Sequence, residues 1–201
     1  MATYTWPSGR AWIPQTVSLG VQTNTKTNTS GLSGATQTVT LPGSRWTMTV
    51  TMPAQRWADR RALLAFLVKT GGDNVIQAGD MTRSRPRGTI NTTGITASAA
   101  SQFATSLTLN GCGASTTLLA GDLLSVGGQL LMNTDDATAS AGGVMTVTVR
   151  QMLRAAVTGG AAVTLAGPVA LWRLETPDVS TGFESGDIAP PMSFGLIEVF
   201  A

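Results

Sequence analysis

Residues 45–52 read Arg45-Trp46-Thr47-Met48-Thr49-Val50-Thr51-Met52, and this stretch decides the fold class. In extended chain Trp46, Met48, Val50 and Met52 share one face and the threonines share the other, the period of a half-buried strand. Working outward, Pro42-Gly43-Ser44 makes a turn before it, and residues 36–41 alternate in the same way. Residues 24–34 are polar and low in complexity, which predicts an exposed hairpin tip or loop. Residues 12–21 read as a first strand region interrupted at Pro14. On the other side, Pro53 stops the strand and residues 54–70 predict the one helix. Trp57, Arg61, Leu64 and Val68 fall on one side of it, and Leu63, Phe66 and Leu67 widen the stripe to that of a helix lying on a sheet. Arg56, Asp59, Arg60 and Lys69 are then its solvated face, and Gly71-Gly72 its end.

Residues 74–78 predict a short strand, and beyond Arg87 the composition changes. Residues 88–167 are almost free of charge and carry short β runs at 102–109, 122–126, 129–132, 144–149 and 162–165, each bounded by Gly, Asn or Asp. From Val169 the earlier character returns, with a strand at 171–174, a loop at 181–189 and a last alternating strand at 193–200 that should pair with the first sheet. The fold class is therefore all-β, mainly β with one helix. The expected architecture is a discontinuous β-sandwich, residues 1–87 and 169–201 with helix 54–70, carrying an inserted small β-barrel or sandwich module at 88–168.

The chain of 201 residues is long enough to bury a core without staples. Charged residues make up 12 % of it, against about 25 % in an ordinary soluble domain, and threonine, serine, glycine and alanine fill the difference. No stretch approaches the roughly 18 apolar residues of a membrane span, so membrane insertion is not expected. The amino terminus lacks the basic and apolar regions of a secretory signal, so the chain is expected to stay where it is made or be packaged there. Up to Arg87 there are ten basic and three acidic residues, and beyond it three basic and eight acidic, charges of +7 and −5. Such asymmetry fits nucleic-acid binding, or a protomer with two faces of opposite sign packing head to tail in a ring.

The chain has no histidine and one cysteine, Cys112. Without imidazole there is no Ser-His-Asp triad, Cys-His pair or His-based zinc site, and one thiol makes no internal disulfide. Cys112 reads as a small buried residue near a turn. Asp135-Asp136, with Asn133 and Thr134, could hold Ca²⁺ but reads better as a hydrated turn. Glu175, Asp178, Glu184 and Asp187 have only Trp172 and Phe183 as aromatic company, too little for a glycosidase cleft. The Gly-Gly pairs at 127, 142 and 159 lack the lysine and helix of a phosphate loop and read as hairpin turns. The expectation is a non-enzymatic protein with no catalytic residues, cofactor or metal.

The candidate interface residues are Trp6, Arg10, Trp12, Arg83, Arg85 and Arg87. The three arginines at alternate positions would point one way in extended chain, toward an acidic neighbour such as the next copy of this protein. A nucleic-acid reading would want aromatics interleaved among them, and there are none. Trp6 and Trp12, flanking Arg10, either anchor an interface or seal the end of the sandwich.

This order of features resembles small tail proteins of tailed bacteriophages, the distal tail (Dit-like) and related minor tail proteins. The resemblance runs through Trp-Thr-Met-Thr-Val-Thr-Met at 46–52 and the helix with Trp57, Leu63, Leu64, Phe66 and Leu67 before its Gly-Gly turn. It continues through Leu-Leu-Ala-Gly-Asp-Leu-Leu-Ser-Val-Gly-Gly at 118–128, Val-Met-Thr-Val-Thr-Val-Arg-Gln-Met-Leu-Arg-Ala-Ala-Val at 144–157 and Trp-Arg-Leu at 172–174. It departs from that pattern where Arg150-Gln151-Met152-Leu153-Arg154 replaces a proline-containing turn. The resemblance implies a homo-oligomeric ring of the virion tail, hexameric or of related symmetry, assembled in the host cytoplasm. Such a ring joins the tail tube to the hub or baseplate and to receptor-binding or fibre proteins, and DNA passes only through its lumen, which the acidic second half would line. The alternatives are a virion adhesion or carbohydrate-binding module, with platforms at Trp12 or Trp172, and a head-tail connector or tail-completion protein whose arginines face DNA.

Overall fold

The computed structural model of the chain describes residues 1–72, 74–81, 84–176 and 187–200. Its strands, in chain order, are β1 (Thr3–Thr5), β2 (Thr16–Gln22), β3 (Thr25–Thr29), β4 (Thr36–Thr40), β5 (Arg45–Met52), β6 (Gln55–Arg56), β7 (Val75–Gly79), β8 (Thr96–Ala97) and β9 (Ser106–Asn110). They continue as β10 (Thr117–Leu118), β11 (Leu123–Val126), β12 (Gln129–Met132), β13 (Ala137–Thr138), β14 (Val144–Thr148), β15 (Ala161–Thr164), β16 (Val169–Leu174), β17 (Ile188–Ala189) and β18 (Met192–Glu198). Among the described residues one α-helix, α1 (Trp57–Thr70), and a 3-10 turn at Arg10–Trp12 complete the set. The mainly-β architecture with one helix, read from the alternation at 45–52, is the architecture observed.

Two compact units share the chain. The first comprises 1–20, 46–84 and 169–201, and the second 21–45 and 85–168. The expected division kept 21–45 with the first unit; the contacts of that segment group it with the second.

In the first unit a sheet runs in the order β1-β7-β16-β18-β5-β2, with a separate ladder of β6 and β17. The terminal strand lies where the alternation placed it, between β16 and β5, with Phe194 opposite Val50, Leu196 opposite Met48 and Leu174 opposite Leu196. Trp46, Met48, Val50 and Met52 are buried as their spacing requires, together with Ile76, Ala170, Trp172 and Leu196. Burying tryptophan obliges its N–H to find an acceptor, and Trp172 Nε1 donates to the Ala78 carbonyl at 2.8 Å. The backbone N–H of Trp46 donates to the buried Glu198 carboxylate at 3.1 Å.

The helix begins at Trp57 rather than at 54, because Gln55–Arg56 pair with Ile188–Ala189 as β6 and β17. Its phase also differs from the expected one. Arg60, Leu63, Leu67 and Thr70 are buried, while Val68 is 65 % exposed and Arg61 lies outside. Arg60, expected on the solvated face, is fully buried and donates from Nη2 to the Pro53 and Pro190 carbonyls at 3.0 and 2.7 Å. The reason is that α1 carries apolar residues all round, so a stripe through Trp57, Leu64 and Val68 is as good a pattern as one through Leu63 and Leu67. Burial lowers the Arg60 pKa from its ordinary value.

The second unit contains an antiparallel sheet in the order β12-β11-β15-β8-β9-β14. A bridge between Asn133, just after β12, and Val149, just after β14, joins its two edges and closes the strands into a small barrel. Ala97, Leu107, Leu109, Cys112, Leu124, Leu131, Met145 and Val147 fill its core. β11 and β12 meet through Gly127-Gly128, both at positive φ (56° and 77°), the conformation a two-residue hairpin turn demands. Cys112 is buried in this core, and burial raises its thiol pKa against the opposing effect of a backbone hydrogen bond. The hairpin β3–β4 keeps an unbroken five-pair register, from Thr25 opposite Thr40 to Thr29 opposite Thr36.

Candidate interaction site

Two of the six sequence-derived interface residues come together. The 3-10 turn, closed by Trp12 N–H donating to the Gly9 carbonyl at 3.0 Å, brings Trp12 back over Trp6. Their ring centroids are 5.9 Å apart and nearly perpendicular, and Trp6 Nε1 donates to the Trp12 carbonyl at 3.1 Å. Phe66 of α1 packs edge-on to both rings at 5.6 Å, and Phe194 of β18 lies 6.1 Å from Trp6. Edge-to-face contacts of this kind each add about 0.5–1.5 kcal/mol beyond burial. Gln55 Nε2 donates to the Ala11 carbonyl at 2.6 Å and holds the turn from behind.

The cluster is only half sealed. Trp6, Trp12 and Phe66 remain partly accessible, Phe194 is buried, and Ile13 beside Trp12 is 61 % exposed. The inner side of the cluster packs on buried Phe194, and its outer side presents aromatic surface. Arg10 is exposed on the same turn. Phe66 and Phe194 were legible only as core residues of a helix and a strand. Nothing in their spacing announces a shared cluster with positions 6 and 12.

Of the arginine stripe, the described Arg85 and Arg87 have different surroundings. Arg83 lies outside the described residues. Arg85 is exposed and lines an open pocket of about 350 Å³ with Thr89, Asn91, Thr92 and Thr93. Arg87 is taken up within its own module, with Nη2 donating to the Ala120 carbonyl and Nε 3.6 Å from Asp122. Asp122 is buried and accepts three backbone N–H groups as well, from Arg87 at 2.8 Å, Leu119 at 2.9 Å and Gly88 at 3.3 Å. The stretch 87–88 is thereby stitched to the turn at 119–122. Alternation in sequence placed the guanidinium groups on one side; a carboxylate 35 positions away decides where one of them goes.

The acidic loop is likewise self-contained. Asp136 Oδ1 accepts from Ala120 N at 2.8 Å, Asp135 Oδ2 accepts from Thr134 Oγ1 at 3.1 Å, and the buried Asn133 amide donates to the Leu118 and Asp135 carbonyls. These contacts build a turn rather than converge on one point. Among the described residues no three histidine, cysteine or carboxylate groups gather as a metal site would require. Of the carboxylates at 175–187, Asp178 and Glu184, with Phe183, lie outside the described residues. Among the described residues no helix is long and apolar enough to cross a membrane. No protein-family model matches the chain, and no curated protein matches it.

Proposed function

We propose that this chain is a structural virion protein of a tailed bacteriophage, a distal-tail or baseplate ring component joining the tail tube to the hub and receptor-binding proteins. The observation that carries the reading is the half-open aromatic cluster of Trp6, Trp12 and Phe66 with exposed Ile13. Rigid, partly buried aromatics that keep an accessible side are the anchors around which protein interfaces are built. Its placement on a β framework, and the order of motifs from Trp46 to Trp172, agree with the resemblance to distal tail proteins. The charge difference between the two parts of the chain suits copies packed head to tail.

The connector reading has less support, because it needs Arg83, Arg85 and Arg87 free for DNA and Arg87 is engaged by Asp122 and Ala120. The test is the mass of the purified protein by light scattering with negative-stain imaging. Closed rings support the reading. A monomer at every concentration that binds glycans through Trp12 would overturn it in favour of an adhesion module.

A further inference from the structure

The hairpin of β3 and β4 has no side of its own to bury. Of its ten strand residues nine are exposed and Thr40 is half-buried, and Leu32 at the tip is fully exposed. An isolated two-stranded hairpin is marginal in water at best, so a hairpin of this kind is completed by something that covers it.

The register says which groups are open. Ser30 N–H donates to the Ala35 carbonyl at 2.8 Å and Leu41 N–H to the Asn24 carbonyl at 2.7 Å. In an antiparallel ladder bonded and non-bonded pairs alternate, so the even-numbered residues of β3 face inward to their partners. Thr25, Thr27 and Thr29, opposite Thr40, Thr38 and Thr36, are then the non-bonded pairs. Their backbone N–H and C=O groups point away from the hairpin, along both edges. These six threonines also share one face, where Thr27 Oγ1 and Thr38 Oγ1 already meet at 3.3 Å.

Edges that must stay alone are guarded by proline, bulges or charged side chains, lysine above all. These two edges have an unbroken register, no proline within the strands, and Lys26 as the hairpin's lone charge. A β-branched, proline-free edge of low charge is the pattern that pairs with copies of itself, and Lys26 stands on the face opposite the threonines.

We propose that the β3–β4 hairpin is an assembly arm whose open threonine edges add, strand to strand, to the same hairpin of a second copy of this chain. This inference rests on the ring reading and supplies one of its contacts. Thr27→Pro and Thr38→Pro each remove one outward N–H while leaving the inward ladder intact, since proline is tolerated where the N–H faces out from an edge. The experiment is light scattering of the full chain over a concentration series, with far-UV circular dichroism and thermal melting as a check on folding. The expected result is an oligomer in the unaltered chain whose dissociation constant rises at least tenfold in one or both variants, with unchanged spectra and melting. Sensitivity to one substitution alone assigns a two-fold contact through that strand, and sensitivity to both assigns head-to-tail pairing of β3 with β4. An unaltered chain that assembles, with both variants assembling equally well, would overturn the arm and leave the ring reading standing. A monomeric unaltered chain at every concentration would overturn the arm, and would overturn the ring reading as well only where that monomer binds glycans through Trp12.

Discussion

Replacing Asp122 by alanine should open the second unit far more often than replacing Arg87, although the two form an ion pair. The pair itself is weak: Nε and Oδ1 are 3.6 Å apart and the Arg87 side chain is 46 % exposed. A contact of that kind is worth at most about 1 kcal/mol, and the Arg87–Ala120 hydrogen bond adds a fraction of that. The carboxylate's other role is larger. It is the acceptor for the N–H groups of Arg87, Gly88 and Leu119. Hydrogen bonds to a charged group contribute about 1.5–3 kcal/mol each, and the sum is reduced because water reaches the half-exposed Gly88 and Leu119 once the carboxylate is gone. A loss of about 3 kcal/mol for Asp122→Ala and about 1 kcal/mol for Arg87→Ala follows.

The chain carries its own probe for this measurement. Cys112 is the only thiol and is buried in the core of the same unit, so it reacts with an aromatic disulfide only when that core opens. At tenfold per 1.4 kcal/mol, labelling under native conditions should rise about 150-fold in Asp122→Ala and about fivefold in Arg87→Ala. The five tryptophans all belong to the first unit, so their fluorescence reports separately on that unit's unfolding. Equal acceleration in the two variants, or less than tenfold in Asp122→Ala, would refute the view that the carboxylate acts chiefly through the backbone.

Two further substitutions test the packing. A methyl group at Gly88 would stand 2.7 Å from the Thr117 carbonyl carbon and 3.0 Å from Leu118 Cα, both backbone atoms that cannot swing aside. Gly88→Ala should cost about 3 kcal/mol, the upper end for overpacking, and accelerate Cys112 labelling accordingly. Arg60→Ala leaves the Pro53 and Pro190 carbonyls without their donor and empties the space under α1. It should lower stability in urea by about 3 kcal/mol or more, followed by tryptophan fluorescence, whereas Arg60→Met should recover part of that by refilling the volume. Equal midpoints for the two variants would show that only the hydrogen bonds matter.

The sequence by itself determined what depends on neighbours along the chain. The period of two in 45–52 dictates a strand with Trp46, Met48, Val50 and Met52 inward, because one face of a strand is defined by alternate residues wherever it is buried. The same logic located the terminal β18, short β runs bounded by turn residues located β12 and β14, and Gly127-Gly128 announced its own turn because few other residues accept that backbone. Tertiary structure decided the rest. A helix whose apolar and charged residues are spread around every side has no preferred inward face until a sheet is laid against it, so Arg60 rather than Arg61 was buried. Arg87 lost its place in a free stripe to Asp122, and Trp6 and Trp12 gained Phe66 and Phe194, through contacts that span 35 to nearly 190 positions. Closure of the barrel rests on Asn133 meeting Val149. Such pairings carry no local period, because a side chain's distant partners are set by how whole elements pack and not by the residues beside it.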